Sequence, residues 1–410
     1  MKISKRAKEM QASPIRKLTP YAQAAKDKGR KIFHLNIGQP DIETPDIMFK
    51  AIREYKEKIL AYGPSQGSAD YCDSLVKYYN KLDFAIEKEH LVVTTGGSEA
   101  IIFAMLAVAD PGGEIIVPEP FYTNYNGFAT QAGLTIVPVL TVAENGFHLP
   151  AEEEVEKRIT PHTRALMLCN PNNPTGTVYT RDEVEMMIRI AVKHRLFLIS
   201  DEVYREFIYD GLKHVSVMEF PEAAQNLIVV DSISKRFSAC GARLGAVISK
   251  NAELMSGIMK FAQARLCPPT LEQIGGVALH SLNENYYRKI RSEYQHRRDI
   301  VVNSLSKMPG VICKKPQGAF YVIAKLPVID AEHYALWLLT DFDSNGETVM
   351  VAPAQGFYST PNMGLDEVRL AYILNEKSLL RAMDVLAESL EKYKGKKEQL
   401  QAGNEMVMQA

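Results

Sequence analysis

Polar and glycine-rich segments directly follow five short apolar runs of this chain, and their side chains are of types that can do chemistry. The segments cover residues 94–99, 118–122, 170–176, 201–204 and 231–243. They contain a lysine amine, two neighbouring carboxylates, phenols, hydroxyls, amides and arginines. A lysine amine can bond covalently to a carbonyl compound, while carboxylate and guanidinium groups can hold charged parts of a ligand.

Each segment by itself also has an ordinary structural explanation. The glycine pair before Ser98 could open a helix whose free N–H groups attract a phosphate, yet Ser98 is equally a plain helix cap. The aromatic rings around Tyr122 could simply pack in the core. Asp201 could cap a helix, and Lys235 could lie on the surface. The set becomes informative only if the fold brings its members together.

The apolar runs predict the elements that would do so. Strands are predicted near residues 91–94, 114–117, 165–169, 196–200, 227–230 and 244–248, and helices near 98–109, 122–132 and 181–194. Strands alternating with helices favour a mostly parallel sheet that is covered on both faces. Because ligands of such sheets bind outside the carboxyl ends of the strands, the five segments are expected to meet at one edge.

Gathered at one edge, these groups meet the requirements of pyridoxal phosphate. Lys235 would form an imine with it, and Asp201 would keep the pyridine nitrogen protonated so that the ring can take electrons. An aromatic side chain would stack on the ring. A helix start, hydroxyls and Arg243 would hold the phosphate.

Beyond residue 284 the pattern changes to a smaller α+β region. Helices are predicted near residues 285–307, 331–341 and 377–394, with strands near 320–326, 348–352 and 367–373. We expect a large cofactor-binding domain at residues 46–284 and a small C-terminal domain at 285–395. Residues 1–45 would form an N-terminal arm and part of the small domain, and the polar residues 396–410 a disordered tail.

Composition narrows the class of protein. The 410 residues carry a net charge of −1, which gives no electrostatic reason to bind nucleic acid or an anionic membrane. The longest apolar stretch, residues 100–109, is too short to cross a bilayer. Five cysteines without a C-x-x-C pair favour reduced thiols and a cytoplasmic location.

Two motifs carry a resemblance to a known family. Residues 170–176 read NPNNPTG, and residues 232–245 read SISKRFSACGARLG. In these motifs, and in their order and spacing along residues 36–371, the chain resembles the class I and II pyridoxal-phosphate aminotransferases, the aspartate-aminotransferase-like enzymes of fold type I. The resemblance implies a large domain with a mostly parallel seven-stranded sheet between helices, plus a smaller α+β domain.

The resemblance also implies roles for residues around the cofactor ring. Lys235 corresponds to the family's Schiff-base lysine, which afterwards moves a proton between the substrate Cα and the cofactor. Asp201 corresponds to the partner of the pyridinium nitrogen. Tyr204 and Asn173 correspond to the residues that bind the ring oxygen, and Tyr122 to the stacking aromatic residue.

The same resemblance points to the phosphate and to a second subunit. Four residues correspond to phosphate ligands, namely Gly97, Ser98, Ser232 and Arg243. Tyr62, in the sequence Ala-Tyr-Gly, resembles the tyrosine that reaches the phosphate bound by the neighbouring subunit. A homodimer with shared sites is therefore implied.

Substrate contacts follow from the resemblance as well. Arg369 corresponds to the arginine that grips the substrate α-carboxylate, a task for which a bidentate guanidinium suits better than an ammonium. Gly38 would offer its N–H to the same carboxylate, and Asn173 would also contact the substrate. The ordinary explanation of Arg369 is an ion pair with Glu367 on an edge strand.

The resemblance determines less about which substrate side chain the site accepts. One aspartate-selective subgroup carries a lysine directly after the glycine pair, where this chain has Ser98. Other members take an arginine from the partner subunit ahead of a proline-rich turn. Arg265 lies just ahead of such a turn, although not at the matching offset. Arg16, in the N-terminal arm, is a second candidate.

The predicted activity is a ping-pong aminotransferase, which moves an amino group between an L-amino acid, such as aspartate or another donor, and a 2-oxo acid. The alternative is a C–S β-lyase, because it shares the early cofactor chemistry on the same scaffold. A cofactor-binding regulator is a more remote alternative, since residues 1–40 lack a helix-turn-helix pattern. No metal site is predicted.

Overall fold

A computed structural model describes residues 1–393 of the chain. The predicted tail at residues 396–410 lies outside the described residues. The helices are α1 Lys5–Glu9, α2 Thr19–Asp27, α3 Asp46–Arg53, α4 Ala69–Asn80, α5 Gly96–Val108, α6 Asn124–Ala132, α7 Glu152–Glu156, α8 Arg181–Lys193, α9 Ile233–Arg236, α10 Ala252–Arg265, α11 Thr270–His280, α12 Glu284–Leu305, α13 Ala331–Thr340 and α14 Glu376–Lys392. The strands are β1 Lys31–His34, β2 Leu91–Thr95, β3 Glu114–Glu119, β4 Thr135–Leu140, β5 Thr163–Cys169, β6 Phe197–Asp201, β7 Leu227–Ser232, β8 Leu244–Ile248, β9 Tyr321–Lys325, β10 Glu347–Met350, β11 Ala352–Pro353 and β12 Glu367–Ala371.

The main sheet has seven strands in the order β2-β8-β7-β6-β5-β3-β4. β8 pairs antiparallel with both β2 and β7, and the other pairs are parallel. The predicted α/β class with a mostly parallel seven-stranded sheet is therefore confirmed. Because β2, β3, β5, β6 and β7 run in the same direction, their carboxyl ends lie at one edge, and the five polar segments of the sequence follow them there.

All six strands predicted for this region exist, but one strand escaped the sequence pattern. β4 is an edge strand of the sheet, and five of its six residues are half-buried or exposed. It also contains Pro138, which has no N–H to donate to a neighbouring strand and is therefore tolerated in an edge strand. An edge strand of this kind lacks the continuous apolar run that marked the buried strands.

Both faces of the main sheet are buried, and successive residues of a strand belong to different cores. Val92 and Ile199 lie in one hydrophobic cluster, whereas Val93 and Leu198 lie in the other. This alternation follows from the two-residue period of a strand. It continues past the end of β6, so that neighbouring polar residues there face opposite sides.

Two smaller sheets accompany the main one. β1, from the N-terminal region, pairs in parallel with β10, and β9, β11 and β12 form an antiparallel sheet. The α14 helix packs against α12 and β10. The N-terminal and C-terminal regions thus share a sheet, which is compatible with the predicted small domain. The boundaries at residues 46, 285 and 395 stay a proposal. Within residues 1–393, no helix is long and apolar enough to span a membrane.

Candidate active site

A cavity of about 400 Å³ opens at the carboxyl edge of the main sheet. It brings together most of the residues that the sequence singled out, although they come from positions spread over the whole chain. Its lining includes Arg16, Gly38, Gly97, Ser98, Tyr122, Asn173, Asp201, Tyr204, Ser232, Lys235, Arg243 and Arg369. A larger cavity of about 990 Å³ contains none of these residues. The smaller cavity is therefore the candidate active site.

Lys235 is held at this cavity by a short helix. α9 begins directly after β7, and its N-cap Ser232 accepts a hydrogen bond from the Ser234 N–H at 3.2 Å. The Lys235 Nζ donates to the carbonyl of Gly38 at 3.0 Å and lies 3.9 Å from Cys240 Sγ. The amine therefore lies at the cavity wall with only weak partners. It is available to react with the carbonyl group of a ligand.

Asp201 is a buried acid without a cationic partner among residues 1–393. Its carboxylate accepts hydrogen bonds from the Tyr125 hydroxyl at 2.7 Å and from the Val203 N–H at 3.3 Å. Burial raises the pKa of Asp201 to about 6. A turn, not a helix, follows β6, so the helix-cap explanation does not apply. The carboxylate lacks a positive charge that a ligand could supply.

Tyr204 faces the cavity together with a tyrosine that the sequence reasoning missed. The two hydroxyls of Tyr204 and Tyr321 are 2.9 Å apart. Burial raises the pKa of Tyr204 well above its ordinary value, so the phenol stays protonated and able to donate. Gly38 passes so close to Tyr321 that a Cβ would lie 1.7 Å from its hydroxyl oxygen. Its place as the second residue of the predicted strand at 320–326 was the available signal for Tyr321.

The start of α5 forms a narrow cradle beside Arg243. Gly96 has φ +75°, and a Cβ on it would lie 2.5 Å from Arg243 Nη2. A Cβ on Gly245 would lie 2.6 Å from the Gly96 carbonyl carbon and 2.8 Å from the Gly97 nitrogen. The glycines therefore let the guanidinium and the free N–H groups of a 13-residue helix approach the same point. Such a point attracts a phosphate.

Ser98 and Ser232 flank this cradle. Both line the cavity, and Ser98 is the third residue of α5. The Ser232 hydroxyl donates to the carbonyl of Leu244 at 2.8 Å and lies 2.8 Å from the Ser234 hydroxyl. A hydroxyl network beside a guanidinium is a further favourable environment for an anion.

Arg369 projects from β12 and is almost completely buried. Its Nη1 donates to the Asn173 side-chain oxygen at 3.2 Å, and its Nη2 donates to the carbonyl of Asn36. Burial lowers the pKa of Arg369, and no acid within the described residues pairs with it. Glu367 instead accepts a hydrogen bond from Tyr358 at 2.6 Å, so the edge-strand ion pair is absent there.

Aromatic rings hold Arg369 in place. Its guanidinium lies 4.5 Å from the ring centre of Tyr321 and 4.9 Å from that of Phe357. Its Nε has no hydrogen-bond partner among residues 1–393. A flat, caged guanidinium with a free donor is suited to a carboxylate ligand.

Tyr122 forms part of the opposite lining. Its hydroxyl accepts a hydrogen bond from the Asn124 side chain at 2.8 Å, and burial raises its pKa to about 12. It contacts Tyr125 edge to face, with the ring centres 5.5 Å apart. Tyr125, which binds Asp201, was not predicted; its position three residues after Tyr122 on a helix was the available signal.

Two predicted residues lie away from the cavity of their own chain. Arg265 donates from Nη2 to the carbonyls of Ser65 and Val93, at 3.2 and 3.0 Å, and its Nε is 3.7 Å from Glu99. Tyr62 is 82% exposed. Neither residue lines the candidate active site of its own chain.

The match to a family agrees with this geometry. Residues 30–351 fit the family of class I and II aminotransferases, and the chain belongs to that family. Its members are aminotransferases that depend on pyridoxal phosphate, and this chain is a transaminase.

Individual relatives span almost the full chain. It is 31% identical to an aspartate aminotransferase of Pyrococcus horikoshii, over 95% of this chain and 97% of the relative. Among solved structures, an aspartate aminotransferase of Thermotoga maritima superposes with a TM-score of 0.87 at 28% identity, over 95% of this chain and all of the other. An alanine aminotransferase of Pyrococcus furiosus superposes with a TM-score of 0.86 at 30% identity, over 96% of this chain and all of the other. The C–S β-lyase alternative is not favoured by these relatives.

Proposed function

We propose that this transaminase works with pyridoxal phosphate bound covalently through Lys235, and that it moves amino groups between an L-amino acid and a 2-oxo acid. The observation that carries the proposal is Asp201. It is a buried carboxylate without a counter-charge among residues 1–393, and it lines the same cavity as a lysine amine and a glycine-lined anion cradle. A cationic ring nitrogen and a phosphate on one ligand would satisfy both features.

The residues present fit that cofactor. Gly97, Ser98, Ser232 and Arg243 would hold its phosphate, and Tyr122 would lie against its ring. Asp201 would pair with the ring nitrogen, and Tyr204 and Asn173 would bind the ring oxygen. When bound, pyridoxal phosphate supplies an electron sink for the bond that breaks at the substrate Cα.

The chain's own residues then orient the substrate and move the proton. Arg369 would hold the α-carboxylate through its free donor and its forked guanidinium, with the N–H of Gly38 on the same group. Once released, the Lys235 amine would take the proton from the substrate Cα as a general base and later return it as an acid.

Lys235 gives the most direct test. Borohydride treatment of the wild-type protein should fix the cofactor to the peptide that contains Lys235, as read by mass spectrometry. Lys235→Ala should abolish both the label and transamination, whereas the exposed Lys260→Ala should leave both unchanged. A Lys235→Ala protein that transaminates at the normal rate would disprove the assignment.

The reaction and its donor need a separate measurement. Each common amino acid, including aspartate, should be incubated with the holoenzyme while its absorption spectrum is followed. A transaminase should give the 2-oxo acid together with glutamate from 2-oxoglutarate. Release of ammonia without an acceptor would instead support the β-lyase chemistry. Relatives named for aspartate and for alanine leave the donor open.

We also propose a cytoplasmic homodimer in which Tyr62 completes the phosphate site of the other subunit. Tyr62, Ile59 and Leu60 are exposed, which is unusual for a tyrosine and two neighbouring apolar residues unless something covers them. Mixed dimers of Tyr62→Ala and Lys235→Ala chains test this. One of their two sites would combine Lys235 with an intact Tyr62, so activity should return upon mixing. If Tyr62 served its own subunit, mixing would restore nothing.

A further inference from the structure

Basic side chains outnumber carboxylates in the lining of the cavity. The basic side chains are Arg16, Lys235, Arg243 and Arg369, and Asp201 is the single carboxylate of this lining. In the proposed function, Arg243 faces a phosphate, Arg369 faces an α-carboxylate, and Lys235 and Asp201 face the cofactor ring. Arg16 is left without an anion. This inference rests on that proposed function.

The N-terminal arm is anchored on both sides of Arg16. Leu18, two residues later, is buried in the core, and Pro14, two residues earlier, packs so closely on Gly356 that a Cβ there would lie 2.4 Å from it. Lys17 forms an ion pair with Glu332. These contacts fix the arm at the cavity, so the position of Arg16 is built into the fold.

A turn in the N-terminal arm places Arg16 at the cavity and Ile15 on a hydrophobic cluster. The N–H groups of Arg16 and Lys17 both donate to the carbonyl of Ser13, at 3.1 and 3.2 Å. Ile15 packs on the small hydrophobic cluster that contains Phe357, the ring on which Arg369 stacks. The arm and the α-carboxylate arginine therefore share a support.

The side chain of Arg16 forms no hydrogen bond or ion pair with residues 1–393, although it lines a cavity where other cations have proposed ligands. Ser98, at the position of the cation in one aspartate-selective subgroup, has no charge. The Nη2 of Arg265 is bound to carbonyls of its own chain. Arg16 is thus the free cation of the cavity lining.

We propose that Arg16 binds the side-chain carboxylate of a dicarboxylic substrate, and so makes the N-terminal arm part of the specificity site. The α-carboxylate would lie on Arg369 and the second carboxylate on Arg16, where a guanidinium can form two parallel hydrogen bonds. Substrates without a second carboxylate would leave Arg16 in solvent at little cost, because it is exposed.

Half-reactions of the holoenzyme test this assignment. Arg16→Ala should lower kcat/KM for aspartate and glutamate about 10- to 100-fold, the value of a hydrogen bond to a charged group. It should change the values for alanine and phenylalanine little. Lys28→Ala is the matched control, since it removes the same charge from an exposed N-terminal residue that lies outside the cavity lining and forms no ion pair within residues 1–393, and it should not discriminate between the two kinds of donor. Arg16→Lys should restore part of the loss.

Succinate binding provides a readout that does not need turnover. Calorimetry on the holoenzyme should show that Arg16→Ala weakens succinate far more than butyrate, which has one carboxylate. Equal losses for all donors, unchanged succinate binding, or a selective loss in Arg265→Ala instead would overturn the role of Arg16. A wild-type protein that transaminates nothing would disprove the proposed function, while the succinate measurement would still decide on Arg16.

Discussion

Two consecutive acids at the end of β6 have opposite surroundings. Glu202 is fully buried and pairs with Arg205, and it accepts further hydrogen bonds from the hydroxyls of Ser200 and Ser216. Asp201, one residue earlier, faces the other side of the sheet and has no cationic partner in the described chain. Glu202 therefore has a cationic partner within the protein, whereas Asp201 receives only two hydrogen bonds from the described residues.

The buried arginines divide in the same way. Arg236 pairs with Asp231, and together with Arg205 it holds the pKa of that carboxyl below its ordinary value despite the opposing effect of burial. Arg369 has no acidic partner among the described residues, and burial lowers its pKa. Buried charges that are paired hold the fold, whereas buried charges without partners are explained by a ligand.

The largest effect should come from Glu202→Gln, which removes the charge and keeps the shape. It would leave the guanidinium of Arg205, only 3% exposed, beside a neutral amide. Breaking a buried ion pair in this way costs about 3–5 kcal/mol. Urea unfolding of the cofactor-free protein near neutral pH measures the loss. An unchanged midpoint would show that this pair does not hold the fold.

Asp201→Asn makes the same chemical change one residue away and should act in the opposite direction. The folded-state pKa of Asp201 is raised from 3.8 to about 6, so its favourable contribution is present below 3.8 and is lost as the pH rises through 6. At neutral pH, the cofactor-free variant should gain up to about 3 kcal/mol of stability.

The gain of Asp201→Asn should vanish in acid, and transamination should fall by orders of magnitude, because the ring nitrogen would lose its partner. Unfolding of the cofactor-free variant as a function of pH provides the measurement. A variant that is destabilised as strongly as Glu202→Gln would remove the difference between the two acids.

Gly245 lies where the anion cradle meets the end of β7. It is in close contact with the cradle residues Gly96 and Gly97 and with the backbone of Asp231, the acid that pairs with Arg236. A Cβ at this position would lie 2.6 Å from the Gly96 carbonyl carbon and 2.7 Å from the Asp231 oxygen. We expect Gly245→Ala to cost about 1–3 kcal/mol and to weaken cofactor binding, because backbone would have to move.

Gly257→Ala is the control for Gly245→Ala. Gly257 lies within α10, and a Cβ on it would meet nothing within 4 Å. This change should stabilise the protein by about 0.5–1 kcal/mol, since alanine favours a helix over glycine. Cofactor affinity, read by absorbance titration, should be unchanged. Equal effects of both substitutions would contradict the role of the close approach at Gly245.

The sequence could predict much of this arrangement, because strand ends and short motifs are local. Residues 170–176 and 232–245 placed Asn173, Lys235 and Arg243 at one edge, and the structure brings all three to the cavity. Helix ends agree within a few residues; α12 spans Glu284–Leu305 where 285–307 was predicted.

The features that the sequence did not predict depend on contacts between distant parts of the chain, or on the direction in which a side chain points. Tyr321 comes from a region far along the chain and meets Tyr204 only through the fold. The sequence showed two acids at 201 and 202 but not which of them the protein itself would pair. That difference depends on Arg205 and Ser216, which lie in a loop without a periodic pattern.

The smallest effect should come from a charge pair that water can partly replace. His148 Nδ1 lies 2.9 Å from a Glu183 oxygen, with the two side chains 33% and 14% exposed. The hydrogen bond to Glu183 raises the pKa of His148 above 6.5, so the pair contributes fully below 6.5 and its contribution is lost as the pH rises through the raised value. His148→Asn should therefore cost less than about 1 kcal/mol at mildly acidic pH and nothing at alkaline pH. Unfolding midpoints of both proteins across this range provide the comparison. A cost that grows with pH would mean that the imidazole contributes through packing. Pairing would then not be the property that separates charged groups that stabilise the fold from charged groups that bind a ligand.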